Sequence, residues 1–178
     1  VGLKPHAAIV KAVKACAAAL EDAGAIITPM KSYLAPAMLE GMFVFCESRS
    51  GNDIRKLSAR TAGKILPYVL EWATHRSANF SGDDVMNAYN QIHAMREATV
   101  NAIGQFDFVL CPTTPVISYP ADAPSPTNDP HNALAHIAFT VAPNMSEQPA
   151  ASINWSHTKD GLPLGVQIIG QRFDDLGV

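Results

Sequence analysis

The chain has 178 residues, of which 48% are hydrophobic and 16% charged, with a formal net charge of −3. This is enough apolar material for one sizeable core and too short for two independent ones, and so weak a charge supplies no field to gather nucleic acid or an anionic membrane, so neither partner is expected. Three widely spaced cysteines, Cys16, Cys46 and Cys111, form no Cys-x-x-Cys pair, which excludes a zinc ribbon or a disulfide scaffold and fits a reducing, cytoplasmic setting.

Taken in order, the chain opens with a helix. Pro5 suits the first helical position, Ile9, Val10, Val13, Ala17 and Leu20 recur at helical spacing, and Gly24 is placed to end it. Residues 25–28, Ala-Ile-Ile-Thr, are expected to form a short strand. A second helix is expected over residues 35–47, apolar over much of its circumference through Met38, Leu39, Met42, Phe43, Phe45 and Cys46, and therefore packed against a sheet rather than lining a substrate site. Arg55, Lys56, Arg60 and Lys64 recur mostly at four-residue intervals and read as a solvated helix face. Ser81-Gly82-Asp83-Asp84 is a helix start, and Val85, Tyr89, Ile92, Met95, Thr99 and Ile103 continue it along one stripe to Gly104, which makes it the longest helix. Residues 120–130 have the composition of a surface loop.

Beyond the helices lie three apolar runs, residues 106–111, 150–155 and 164–170. Each is short, rich in bulky side chains and bounded by Pro or Gly, so each reads as a buried strand. Strands this apolar need cover on both faces, which the preceding helices supply. The expected class is α/β.

The chemistry-bearing residues form no self-sufficient site. Glu47-Ser48-Arg49-Ser50-Gly51 lacks the first glycine of a nucleophile elbow. Cys111, at a strand end, is more simply a small buried hydrophobe than a nucleophile awaiting a distant histidine, although with Thr113 it would stand near the rim of any pocket there. The six histidines, His131 and His136 among them, show no metal-ligand spacing, and residues 161–170 lack the Lys-Ser/Thr end of a phosphate loop. No metal site and no cofactor is expected.

Three segments carry a resemblance. An aspartate and an apolar strand run into Pro112-Thr113; Thr140, Asn144, Pro149 and Ala150 follow at the spacing Thr-x-x-x-Asn-x-x-x-x-Pro-Ala; and Gly161-Leu162-Pro163-Leu164-Gly165-Val166-Gln167-Ile168-Ile169-Gly170 closes the set. In this order they resemble the C-terminal part of the amidase signature family. Leu20-Glu21-Asp22-Ala23-Gly24 stands where that family places the end of a helix packed on its sheet.

The resemblance implies a mixed β-sheet covered by α-helices and the hydrolysis of a carboxamide through an acylated serine. In the family a second serine relays a proton to a lysine, and backbone amides hold the oxyanion. Those residues lie upstream of the matched segments, and the chain holds no Ser-Ser dipeptide and no Gly-Gly-Ser-Ser run. No catalytic residue is therefore assigned. Residues 1–178 are expected to be the C-terminal portion of a single amidase domain, truncated at both ends and inactive alone. The missing N-terminal half would be its partner, and a homodimer is expected from the sheet edge exposed by truncation.

By the same resemblance Thr113, Phe139, Thr140, Asn144 and Met145 are expected to bind a small amide substrate. Phe139 and Met145 would favour an aryl, alkyl or lactam-like group. The family's tRNA-dependent amidotransferase subunits would carry an aspartate where this chain has Ile137, three residues before Thr140, which weighs against that branch without removing it. A non-catalytic α/β binding module is the third reading.

Overall fold

The structure, a computed structural model, describes residues 2–178. Its first helix, α1 (Ala7–Asp22), starts two residues later than Pro5 suggested. His6 is the cap, its Nδ1 accepting the Ala8 amide at 3.2 Å, and Gly24 closes the helix with a φ of +100°, a conformation glycine adopts without strain. The strand expected at residues 25–28 does not form. The segment is irregular and finds no strand to pair with, and Ile26 is 95% exposed.

The second helix, α2, spans Pro36–Arg55, well past the expected end at residue 47. Two glycines let it lie close to its neighbours. A Cβ on Gly41 would fall 3.0 Å from the Ala88 carbonyl, and one on Gly51 would fall 2.7 Å from the Ala73 carbonyl. The basic stretch is no single helix face. Arg55 ends α2, Lys56 caps it, and Arg60 belongs to a separate turn, α3 (Ala59–Ala62), capped by Ser58. Helix α4 (Pro67–Thr74) then begins at Pro67.

α2 and the turn after α4 meet around one buried carboxylate. Glu47, 3% exposed, accepts from Arg76 Nε at 2.9 Å and from Arg76 Nη2 at 2.7 Å, while Arg76 Nη1 donates to Glu40 at 2.7 Å. Glu47 holds the guanidinium pKa above its ordinary value, against the opposing effect of burial.

The longest helix is α5 (Gly82–Ile103), as its start signal indicates. Ser81 Oγ accepts the Asp84 amide at 3.1 Å and Asp84 Oδ2 accepts the Ser81 amide at 2.8 Å, a reciprocal cap. The Ser81 hydroxyl also donates to Asp84 Oδ2 at 2.7 Å, and this bond, with the one from the Ser81 amide, holds the Asp84 carboxyl below its ordinary pKa. Met95, Thr99 and Ile103 are buried as the stripe requires, but nearer the start Ala88, beside Gly41, takes the place assigned to Tyr89.

The three apolar runs form one antiparallel sheet, β1 (Val109–Pro112), β2 (Ala150–His157) and β3 (Pro163–Ile169), with β3 in the centre. Val109, Ile169 and Ala150 stand in line across it, as do Cys111, Gln167 and Ser152. Pro112 stays in the ladder opposite Val166, although its loop had been expected to end the strand. β1 is an edge, where a missing N–H can face away from the sheet.

One sheet face packs Leu164, Val166 and Leu110 against Ile9, Ala12 and Cys16 of α1. The other packs Val109 and Ile169 against Ile103 of α5. β2 departs from expectation. Most of its residues are exposed, because it has β3 on one side only and is not covered as a central strand would be. Between β1 and β2 the chain makes two short 3-10 turns and α6 (Val141–Ser146).

Candidate functional site

Side chains alternate across a strand, so Val109, Cys111 and Thr113 leave one face of the sheet with Gly165, Gln167 and Ile169 from the middle strand. This is the face away from α1, and two concavities open beside it.

The first is a cavity of about 540 Å³ whose lining includes Val109, Cys111 and Ile169 from the sheet, Phe139 and Ala142 from around α6, and Tyr33 from the segment before α2. It is mostly apolar; Lys4 and Lys31 are its charged lining residues, and among the described residues no carboxylate lines it. Burial raises the Tyr33 pKa, a hydrogen bond with Thr99 works the other way, and the nearby Cys111 raises it slightly. Gln167, 5% exposed, fixes one wall. Its Nε2 donates to the Phe139 carbonyl at 2.9 Å and to Cys111 Sγ at 3.1 Å, so one amide ties the strand pair to the residue entering α6. Burial pushes the Cys111 thiol up to about 11, with the Gln167 bond opposing. A thiol so held is a poor nucleophile near neutral pH.

The second concavity, of about 500 Å³, lies at the other end of the strands and is lined by Thr113, Ser152, Asn154 and Gly165 among others. Thr113 Oγ1 and Ser152 Oγ share a hydrogen bond of 2.7 Å across the middle strand. They meet above Gly165, where a Cβ would lie 2.9 Å from the threonine oxygen. Glycine is thus required for the hydroxyls to approach.

The residues expected to bind substrate are therefore distributed. Phe139 lines the first cavity and Thr113 the second. Thr140 caps α6, its hydroxyl donating to the Ile137 carbonyl at 3.1 Å. Asn144 is exposed and its amide donates to the Thr140 carbonyl at 2.7 Å, a bond internal to the turn. Met145 packs on Leu39, Met95, Val141 and Ala142. Glu147 ends α6 with a φ of +62° and accepts from Arg96 at 2.9 Å and from Arg172. Buried Ser146 donates to the Ala142 carbonyl at 2.8 Å and to the Gln148 side chain.

Sequence reasoning missed Gln167, Tyr33 and Ser152. The signal for Gln167 was present: it is the one amide in an otherwise apolar run, and a buried amide must find partners. Ser48 lies inside α2 with Glu47 bound by Arg76, so that run forms no elbow. His131 Nε2 stands 3.2 Å from Glu71, with its ring edge-on to His75 at 4.5 Å between centroids.

A mixed helix and sheet architecture with an apolar cavity against the sheet marks the chain as α/β. Within that class the family is shown by sequence: the Amidase family model matches residues 1–178, and the chain belongs to that family. It is 25% identical over 132 residues to a glutamyl-tRNA(Gln) amidotransferase subunit of Treponema denticola, a match covering 72% of this chain and 27% of that one. In fold it is similar to an amidase crystal structure, with a TM-score of 0.80 at 19% identity over 97% of this chain and 40% of the other. A bacterial aryl acylamidase of the amidase signature family gives a TM-score of 0.77 at 21% identity, covering 99% of this chain and 39% of the other. The chain thus spans about a quarter of the curated relative and two fifths of the solved structures.

Proposed function

We propose that residues 1–178 are the C-terminal portion of an amidase domain whose full-length protein hydrolyses a carboxamide through an acyl-enzyme, the nucleophilic serine, the relay serine and the lysine being supplied from outside this chain. The carrying observation is the family match along the whole chain. In this reading the cavity beside β1 and β3 takes the acyl group. Phe139 supplies its wall, Thr140, Asn144 and Met145 hold that wall through α6, and Thr113 with Ser152 presents hydroxyls at the far end of the same sheet face. A mostly apolar cavity that carries Lys4 and Lys31 in its lining and, among the described residues, no carboxylate suits an aryl, alkyl or lactam-like amide better than a cationic one.

The test uses the protein at its natural length. Phe139→Ala should lower kcat/KM for an aryl amide by about tenfold, the effect of removing a large apolar contact, and leave acetamide nearly unchanged. Equal losses on both substrates would overturn the pocket assignment. The 178-residue chain alone should show no amide turnover.

A second reading has specific support in the Treponema denticola relative, which is named as part of an amidotransferase. Ile137 weighs against it, since this residue packs with Leu39 and Met95 where the resemblance would place an amine-recognising carboxylate. Glutaminase activity that appears only when a partner protein is added would select it. No helix among the described residues is long and apolar enough to cross a membrane, and a cytoplasmic location is part of the proposal.

A further inference from the structure

Among the described residues, Asn128, Glu147 and Phe173 take a left-handed backbone without being glycine. Asparagine tolerates that region, but a long or bulky side chain keeps it only where the surroundings over-determine it. Glu147 and Phe173 are joined through Arg172, whose guanidinium donates to the Glu147 carboxylate and lies 5.0 Å from the centre of the Phe173 ring. Arg96, from α5, donates to the same Glu147 oxygen at 2.9 Å. One carboxylate thus draws together a cation from α5 and a cation from the segment after β3.

These contacts bear on the lining of the acyl cavity. α6 is six residues long, too short to hold its shape alone, and its Ala142 and Pro143 line the cavity. The turn at Glu147 closes on one of them directly: the Pro143 carbonyl accepts the Glu147 amide and, at 3.1 Å, the Gln148 amide. Ile169, which lines the cavity from β3, stands three residues before Arg172. Between them Gln171 Nε2 donates to the Ile103 carbonyl at 3.1 Å and pins this segment to the end of α5. The pairing of Glu147 with Arg96 and Arg172 therefore links, through short spans of chain, lining residues that come from α6 and from β3.

We infer that Glu147 is a positioning residue for the acyl cavity: shared between Arg96 and Arg172, it holds α6 at the distance from the sheet that admits a bulky acyl group. Ending the helix does not require a glutamate, because glycine would take a φ of +62° without strain. The inference rests on the amidase reading and on the cavity's role in it. All three side chains are partly exposed, so salt weakens the clamp.

Steady-state kinetics of the natural-length protein on an aryl amide and on acetamide test it, with Phe139→Ala as the control for the cavity itself. Glu147→Gln keeps the length of the side chain and gives up its charge. It should raise KM for the aryl amide about fivefold relative to KM for acetamide while kcat for the aryl amide is retained, the signature of lost acyl binding. In the parent, 0.5 M sodium chloride should raise the same KM ratio, and Glu147→Gln should blunt that response. An unchanged KM ratio, a kcat loss shared by both amides, as general destabilisation would produce, or an equal salt response in parent and variant would overturn the inference. A selective Phe139→Ala beside a silent Glu147→Gln would sink the clamp alone, whereas a Phe139→Ala without selectivity would sink the cavity assignment and the clamp with it.

Discussion

At Cys111 the position in the fold and the chemistry of the side chain pull apart. A thiol at a strand end beside a cavity invites a nucleophilic reading, but burial raises its pKa to about 11 and its bonded neighbour is an amide, Gln167, not a base. The ordinary thiol value is about 8.5. The folded state therefore favours the neutral thiol, a contribution fully present below the unfolded pKa and lost as pH rises from there through about 11. In the native protein at pH 8, iodoacetamide should modify Cys111 about two orders of magnitude more slowly than in the urea-unfolded chain, read by mass spectrometry of the peptide. Preferential native labelling of Cys111 would contradict this. At this scale the resemblance led to Phe139 and Thr113, which each line a concavity, because one adjoins the pattern that starts at Thr140 and the other follows Pro112. It concealed Tyr33, whose place at the cavity depends on how residues 25–35 cross the molecule, and Ser152, whose partner lies 39 residues away.

Helix starts were legible where a side chain caps its own first turn, as at Ser81, because that chemistry is local. The end of α2 was not. Ser50-Gly51-Asn52-Asp53 has the composition of a turn, yet the helix runs through it because α4 and the turn after it press against Gly51. The strand expected at residues 25–28 failed for the complementary reason: propensity cannot supply a ladder partner. Gly51→Ala separates local preference from packing. Helix propensity alone would stabilise the variant by about 1 kcal/mol. The added Cβ, however, would lie 2.2 Å from Ser77 Oγ and 2.7 Å from the Ala73 carbonyl, and overpacking of this kind costs about 1–3 kcal/mol. Urea unfolding should show net destabilisation, partly relieved in Gly51→Ala/Ser77→Ala, where the nearer obstacle is gone. A Gly51→Ala variant more stable than the parent would mean that α2 does not lie this close.

Across the whole molecule, what the sequence could not convey is what covers the sheet. Residues 150–155 read as a buried strand from their composition, but burial belongs to neighbours, and β2 has only β3 beside it. The two edges differ in how they resist further pairing. β1 carries Pro112, while β2 has a register irregularity between Asn154 and Ser156, so its first half is the more regular free edge. Ile153 and Trp155 are 36% and 37% exposed there. If the proposed domain continues outside residues 1–178, its remainder would cover this edge, and the isolated chain would turn to a second copy of itself. Sedimentation of the 178-residue chain should then show a dimer that Ile153→Lys shifts to monomer, since a lysine on an edge opposes strand addition. In the natural-length protein the same substitution should leave the assembly alone and lower stability by about 1–3 kcal/mol, because the charge would then face packed surface. A monomeric 178-residue chain, or an Ile153→Lys variant that leaves the long protein as stable as its parent, would place the missing cover on some other face.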